Sequence, residues 1–527
     1  MMMKRRMILG FLLMSMLALP VTSRGGAVPF SMAYTVSVGD PAAGLFHVEL
    51  RCDGWPGGPQ SFRMPVWMPG YYGVMDYPSG VQGFLALDGR GRPLFWEKSA
   101  ADAWRVQTGR AARFTIRYDI KVPAPFITQS GLNEKRAYIA PPGVFLYPDR
   151  RLGLPVIVTI DPGPFWKDVA TGLDPVPGRP RTFAAPDFDA LYDSPFLIGN
   201  LERLSFEVRG VPHAFYGFDL GEFDRSAFVS DLKRLVEAAV SIFGEIPYKR
   251  YAFLAVGPGR GGIEHAGSMA VSLGGLSGYS AATHRGTLKY LAHEYFHHYN
   301  VKRIRPFELG PFDYSRPNRT RMLWMAEGFT VYYETIVMRR AGFLGEDEML
   351  AAAASPITAV ERRPGRLVQS AAESSYVSWD QGPFGGDPAT TVSYYDKGAV
   401  IGLLLDLAIR KATAGARSLD DVMRALYKEY YREKGRGFTE AELRAVCEKT
   451  AGETLSEVFS YADTAKPVDY AKYLGCAGLA LETVAAPPTA QTSPSGRAGQ
   501  AAPSVRIVRL PDPTPEQAAI LRGWLGR

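Results

Sequence analysis

Cysteine is almost missing from this chain: Cys52, Cys447 and Cys476 are the only three in 527 residues. So low and odd a count cannot support a protein of this size through disulfides, and no cysteine stands at zinc-ligand spacing from another. Histidine and carboxylate therefore remain as metal-holding side chains. Charge of one sign is also lacking. The net charge of +7 is small for this length, and Lys4, Arg5 and Arg6 supply part of it, so no nucleic-acid partner is expected. The basic residues that do cluster, Lys302, Arg303, Arg305, Arg316, Arg319 and Arg321, read as a solvated or ion-paired loop between helices. Long apolar runs are absent too. The run from Met7 to about Leu19 is short of the roughly 18 to 20 residues a bilayer span needs. Basic residues precede it and the small residues of Pro20-Val21-Thr22-Ser23 follow it, the pattern of a secretory signal peptide. Residues 1–23 are thus expected to direct export to the periplasm or exterior, leaving no stable membrane span after cleavage.

What is present is the composition of an ordinary globular protein, 46% hydrophobic and 21% charged, with a length that suits several domains. From about Tyr34 to Ile160 the chain runs in short β-type stretches, such as Phe46 to Leu50 and Phe114 to Tyr118, broken by Gly, Pro and Asp. This predicts an N-terminal all-β domain over residues 28–180, with the Pro/Gly-rich stretch from Asp174 to Pro180 as a connection. Helical patterns then take over, at Phe228 to Phe243, Leu288 to Asn300, Leu323 to Ala341 and Ala399 to Lys411. Ser418-Leu419-Asp420-Asp421 and Thr439-Glu440-Ala441-Glu442 read as capping-box starts of two further helices. Ala485 to Pro503, rich in Ala, Pro, Ser, Thr and Gly, reads as a disordered linker, with Val505 to Leu525 docking back as a strand and short helix. The expected architecture is multidomain α+β.

Five of the seven histidines, His265, His284, His293, His297 and His298, fall between positions 265 and 298. Two of them belong to His293-Glu294-Tyr295-Phe296-His297. Four helical residues turn through about 400°, so both imidazoles lie on one face and can reach one ion. Glu294 projects alongside, where it can take a proton from a water at that ion. Chance alone would give this pattern in about one such chain in two hundred. A catalytic zinc keeps three protein ligands. Glu327 is the one carboxylate near the start of the apolar helix after Leu323-Trp324-Met325-Ala326. An acid in a first helical turn is also ordinary placement against the helix dipole, so position alone leaves its role open.

A second pattern is dismissed by context. Gly257-Pro258-Gly259-Arg260-Gly261-Gly262 fits G-x-G-x-x-G after a strand-like run. The following Ile263 to Val271 looks extended, whereas a dinucleotide fingerprint needs a helix start for its pyrophosphate.

The block from His293 through Asn300-Val301-Lys302-Arg303-Ile304-Arg305-Pro306, with Leu309-Gly310-Pro311-Phe312-Asp313-Tyr314, Leu323-Trp324 and Glu327-Gly328, closely resembles the glycyl aminopeptidase family of gluzincin zinc peptidases. Met64-Pro65-Val66-Trp67-Met68-Pro69-Gly70-Tyr71, Asp193-Ser194-Pro195, and Ser393-Tyr394-Tyr395-Asp396-Lys397-Gly398-Ala399 extend the likeness to roughly residues 30 to 475. The resemblance implies a thermolysin-like, mostly helical peptidase domain over 185–475. It implies one zinc ion held by His293, His297 and Glu327, with Glu294 as general base. It also makes Glu264 a candidate grip on the substrate's α-amine and Tyr395 a candidate oxyanion donor, with Tyr394 as the competing choice. The implied activity is peptide hydrolysis at a free N-terminus, with preference for Gly or Ala, on peptide or protein substrates. A zinc endopeptidase would share every catalytic residue, and a non-catalytic secreted binding protein on this scaffold is the rival from another class.

Two departures stand out. The family usually carries a PDZ domain, and residues 476–527, a low-complexity linker and tail, are too few for a complete one. His298-Tyr299 stands where a small polar residue and Trp are expected, which alters packing beside the ligand helix and removes no reactive group.

Overall fold

The computed structural model describes residues 30–123, 126–382, 386–484 and 504–526. The expected signal peptide and the Ala485 to Pro503 linker lie outside them.

Alternating apolar residues build the N-terminal layers. In Leu45–Asp53 the side chains of Phe46, Val48, Leu50 and Cys52 are buried, and in Arg113–Lys121 those of Phe114, Ile116, Tyr118 and Ile120. The antiparallel register pairs them as Phe46 with Ile120, Val48 with Tyr118, Leu50 with Ile116 and Cys52 with Phe114. All eight therefore lie on one face, as a period of two requires. These strands are neighbours in a seven-stranded sheet whose order is Asp174–Pro175, Thr182–Ala185, Val156–Asp161, Ser31–Ser37, Leu45–Asp53, Arg113–Lys121, Val81–Asp88. A four-stranded sheet that includes Pro59–Arg63 and Ala103–Gln107 shares its core through Phe62, Trp104 and Val106.

The sequence-based end of this domain at residue 180 needs correction. The Pro/Gly-rich stretch is no linker: Asp174 pairs with Ala184 and Pro175 with Phe183, so it forms the outer hairpin of the sheet. Gly178 and Arg181 turn the chain there with φ of 73° and 48°. Farther on, Phe196–Gly199 pairs with Arg136–Ile139 in a third sheet. The β layers continue to Gly199, and turn residues clustered in a hairpin gave the stretch the composition of a connection.

The C-terminal half opens with a five-stranded mixed sheet in the order Glu202–Val208, Val211–Gly217, Tyr251–Gly257, Ser268–Ser272, Gly262–Glu264. The last of these is an edge strand. Gly257 to Gly262 leads into this antiparallel hairpin and not into a helix. The helix Arg225–Phe243 connects two strands of the sheet, and further helices follow, among them Arg285–Phe296, Gly328–Arg340 and Tyr394–Ala412, all sharing one large core. The capping boxes at Ser418 and Thr439 are formed. The fold is thus a β-rich N-terminal half followed by a helical half, as expected. At the chain end Ser504–Arg509 pairs with Leu479–Val484, and the helix Pro515–Trp524 docks through Trp524, whose Nε1 donates to Tyr332 Oη at 3.0 Å.

Two contacts join the halves behind the edge strand. Met68, Ile127, Tyr138 and Ala140 from the N-terminal layers pack on Ile263 and Ala270 of the hairpin. Asp193 accepts from Ala266 N at 2.7 Å and lies 2.5 Å from Lys302 Nζ and 3.1 Å from His265 Nδ1. Lys302 is thus ion-paired, one of the two readings of the basic cluster, whereas Arg303 is neither solvated nor ion-paired: it is buried and donates to the carbonyls of His298, Ala266 and Pro247. Arg316 and Arg319, by contrast, form ion pairs with Asp313 and Asp380 at more exposed positions.

Candidate metal centre and active site

His293 and Glu294 sit in the last turn of the helix Arg285–Phe296, and His297 caps it in helical conformation. Each histidine has one ring nitrogen engaged. His297 Nδ1 lies 2.7 Å from Asn300 O, and His293 Nδ1 lies 2.8 Å from Glu334 Oε2. A carbonyl or carboxylate only accepts, so both Nδ1 atoms carry a hydrogen, and the two Nε2 atoms are the positions that can give up a proton to a cation. Those Nε2 atoms are 3.1 Å apart, and Glu327 Oε2 lies 3.3 Å from one and 3.8 Å from the other. Three potential ligand atoms from two elements thus converge, all within 4.8 Å of one another, as ligands of one cation do.

Glu327 occupies the break between the one-turn helix Leu323–Ala326 and Gly328–Arg340, and it is buried. Asn300 fixes that break to the histidine helix: its Nδ2 donates to Ala326 O at 2.9 Å and lies 3.1 Å from Thr330 Oγ1. Two glycines bring the next helix alongside. A Cβ on Gly328 would stand 2.3 Å from Gly398 Cα, and one on Gly398 would stand 2.0 Å from Trp324 O. This close crossing brings the first turn of Tyr394–Ala412, with Tyr395, to the cavity wall. Tyr395 lines the cavity, whereas the Tyr394 hydroxyl lies 3.2 Å from Ser378 Oγ and its residue does not line it. Burial, reinforced by Glu327 and its tyrosine neighbours, raises the Tyr395 pKa well above 10, so its hydroxyl keeps its proton.

The cavity holds about 770 Å³ and is lined by His293, Glu294, His297, Glu327, Glu334, Glu264 and Tyr395. Glu294 is buried, which pushes its carboxyl to about 7; the two histidines oppose the rise, and Glu264 and Glu327 add to it. His297 is driven the other way: burial opposes its protonation, but Glu327, Glu264 and Glu294 outweigh burial and lift it to about 10. The Glu294 shift expresses chiefly its burial, and the His297 shift the excess negative charge of Glu327, Glu264 and Glu294 around the converging atoms. A divalent cation there would relieve it, so the donor set and its electrostatics fit a metal.

Glu264 ends the edge strand. It is 3% exposed, and its Oε1 has no hydrogen-bond partner among the described residues. A buried carboxylate oxygen with no donor marks a place for a positive or hydrogen-bonding group. Gly70 abuts it from the N-terminal layers: a Cβ there would stand 2.9 Å from Glu264 Oε2. Gly70, Tyr71 and Ile127 line the same end of the cavity.

Every residue singled out from the sequence, His293, Glu294, His297, Glu327, Glu264 and Tyr395, lines this one cavity. Sequence reasoning missed Glu334, Asn300 and Thr330. Glu334 lies seven residues, two helical turns, after Glu327, a spacing that carries a signal only when the facing helix is known. His298 is fully buried against Tyr299, with ring centroids 3.8 Å apart, and burial and Arg303 hold its pKa far below 6.5. It is a neutral packing residue.

Residues 33–200 match the family model for the Peptidase M61 N-terminal domain, and residues 286–401 match that for the M61 glycyl aminopeptidase. Together they span more than half of the chain. Among solved structures, an aminopeptidase N family protein from Idiomarina loihiensis is 26% identical, with a TM-score of 0.79 over 86% of this chain and 79% of that one. An M1 zinc metallopeptidase mutant from Deinococcus radiodurans, bound to a Tyr-Ser-Ala substrate, is 15% identical with a TM-score of 0.51 over 83% of this chain and 94% of that one. Legionella pneumophila aminopeptidase A, in complex with aspartic acid, is also 15% identical, with a TM-score of 0.52 over 82% of this chain and 49% of that one. At 15% identity the last two share the fold. No curated protein sequence matches the chain.

Proposed function

This chain belongs to the M61 glycyl aminopeptidase family and is a metallopeptidase, and from that premise we propose that it is an exported zinc aminopeptidase that removes small N-terminal residues, Gly or Ala, from peptides. The observation that carries the exopeptidase reading is Glu264, a buried carboxylate with an unpaired oxygen at a cavity end walled by Gly70. A substrate ammonium placed there pairs with the carboxylate, and Gly70 of the N-terminal layers abuts that end of the cavity. An endopeptidase needs an open cleft on both sides of the scissile bond. A binding protein that had lost catalysis would have no need of Glu294 beside the ligand set.

His293, His297 and Glu327 would hold the ion, oriented by Glu334 and Asn300 through the histidine Nδ1 atoms. When bound, zinc supplies a Lewis acid that polarises the scissile carbonyl and acidifies a neighbouring water. Glu294 takes that water's proton and passes it to the leaving amine. Tyr395 donates its hydroxyl to the carbonyl oxygen as negative charge develops. Glu264 sets the reacting bond one residue from the amine. Export rests on Lys4-Arg5-Arg6 and the apolar run that follows. Among the described residues no helix is long and apolar enough to cross a membrane.

The test compares free and N-acetylated forms of one alanyl peptide with the zinc-loaded protein. Cleavage of the free form alone supports an aminopeptidase, and equal cleavage of both would establish an endopeptidase instead.

A further inference from the structure

The hairpin that ends in Glu264 carries a second charged residue at its other end. Arg260 lines the cavity, is exposed, and forms no ion pair among the described residues. Of the other charged cations on this wall, Lys289 is paired with Glu334 at 3.0 Å. The backbone around Arg260 is fixed, since Ser272 N donates to Gly261 O at 3.1 Å and Ser272 Oγ donates to Arg260 O at 3.3 Å.

The spacing along this edge is informative. Glu294 lies against Gly262: a Cβ there would stand 2.5 Å from both Glu294 Cδ and Oε1. Going backwards along the chain, the order is therefore Glu264, then Gly262 at the general base, then Arg260. An unpaired edge strand takes an extended peptide as one more strand. Two steps of extended chain, about 7 Å, separate the amine anchor from the reacting bond; Gly261, with φ of 84°, then bends the chain, so Arg260 stands just past the strand's end, at most about 7.6 Å farther by its two Cα–Cα steps. On this scale one residue lies between Glu264 and the scissile bond, and about two more reach Arg260.

We propose that Arg260 binds the C-terminal carboxylate of short peptides, so that the enzyme favours substrates of about three residues with both termini free. This rests on the aminopeptidase reading, because Glu264 must hold the other terminus. A guanidinium suits the role, since its fork matches a carboxylate with two parallel hydrogen bonds and stays charged at any working pH. A tripeptide amide offers neutral hydrogen-bonding groups there in place of the anion. In a six-residue peptide the terminal carboxylate lies well past Arg260.

The experiment measures kcat/KM of the zinc-loaded protein on tri-alanine and tri-alanine amide, and on hexa-alanine and its amide, with alanyl-aminomethylcoumarin as a substrate lacking any carboxylate. The free tripeptide should be preferred over its amide by about tenfold, and the hexapeptide pair should be cleaved alike. In Arg260→Gln the tripeptide ratio should fall to near one. Each ratio is taken within one preparation, so the folded fraction cancels. A ratio near one in the unaltered protein, or one that survives Arg260→Gln, overturns the proposal while coumarin release still supports the aminopeptidase. Absence of coumarin release together with cleavage of N-acetylated peptides overturns both.

Discussion

Glu294 rests on Gly262, with a hypothetical Cβ at that glycine only 2.5 Å from its carboxyl carbon and 2.7 Å from Tyr290 Oη. The carboxylate proposed as general base is therefore positioned by the edge strand facing it as well as by its own helix. Gly262→Ala should push the carboxylate out of line and lower kcat by about 10²-fold. Thermal unfolding should move far less, because the strand keeps its pairing with Val271. A kcat within twofold of the unaltered protein would show that Glu294 has room to spare.

Glu334 is the partner of His293 Nδ1 and also of Lys289. Removing it frees the ring to rotate and lowers the basicity of Nε2. Glu334→Ala should weaken zinc binding by about 10–100-fold in competition with a chromophoric chelator. Unchanged affinity would assign Glu334 to packing alone.

Tyr395 and Tyr394 stack with ring centroids 4.8 Å apart, yet only Tyr395 lines the cavity. Tyr395→Phe should lower kcat by about 10²-fold with little change in KM, the signature of a donor that acts in the transition state. Tyr394→Phe removes the contact to Ser378 and should cost about 1 kcal/mol of stability, read by denaturant unfolding.

Asp193 ties the two halves together. Burial alone would raise its pKa, but Lys302 and His265 outweigh burial and lower it to about 2. The folded-state value lies below the unfolded one near 3.9. Its contribution is therefore fully present above about pH 4 and is lost as pH falls towards 2. Asp193→Asn leaves Lys302 buried without its counter-charge and should destabilise the fold by about 3 kcal/mol at pH 7. The difference between variant and parent should shrink on acidification; a difference constant from pH 7 to 2 would contradict the assignment.

The legible parts of this protein were those set by local spacing. Two histidines four residues apart on one helix declare themselves, as do strands whose apolar residues alternate. Glu327 and Tyr395 come from separate helices brought together by the Gly328 and Gly398 contact, so position in the sequence marked Glu327 without fixing its role, and only resemblance to a family pointed to Tyr395. Glu334 and Asn300 act across helices on the far sides of the imidazoles, and nothing in their own neighbourhoods marks them. The end of the β layers was misplaced because Pro and Gly serve a hairpin at residues 174–185 as well as they serve a linker. Lys302 and Arg303 looked like surface charge because their partners, Asp193 and the carbonyls of His298 and Ala266, are distant or main-chain groups.

In the proposed mechanism one metal, held by His293, His297 and Glu327, works with Glu294 to hydrolyse peptides. Its most direct test is zinc content and alanyl-peptide turnover measured side by side for the parent protein and Glu294→Gln. Both proteins should hold one zinc per chain, a chelator should abolish and zinc restore turnover in the parent, and turnover should be lower by at least about 10³-fold in the variant. Undiminished turnover in zinc-loaded Glu294→Gln, or parent activity that survives complete removal of metal, would contradict it.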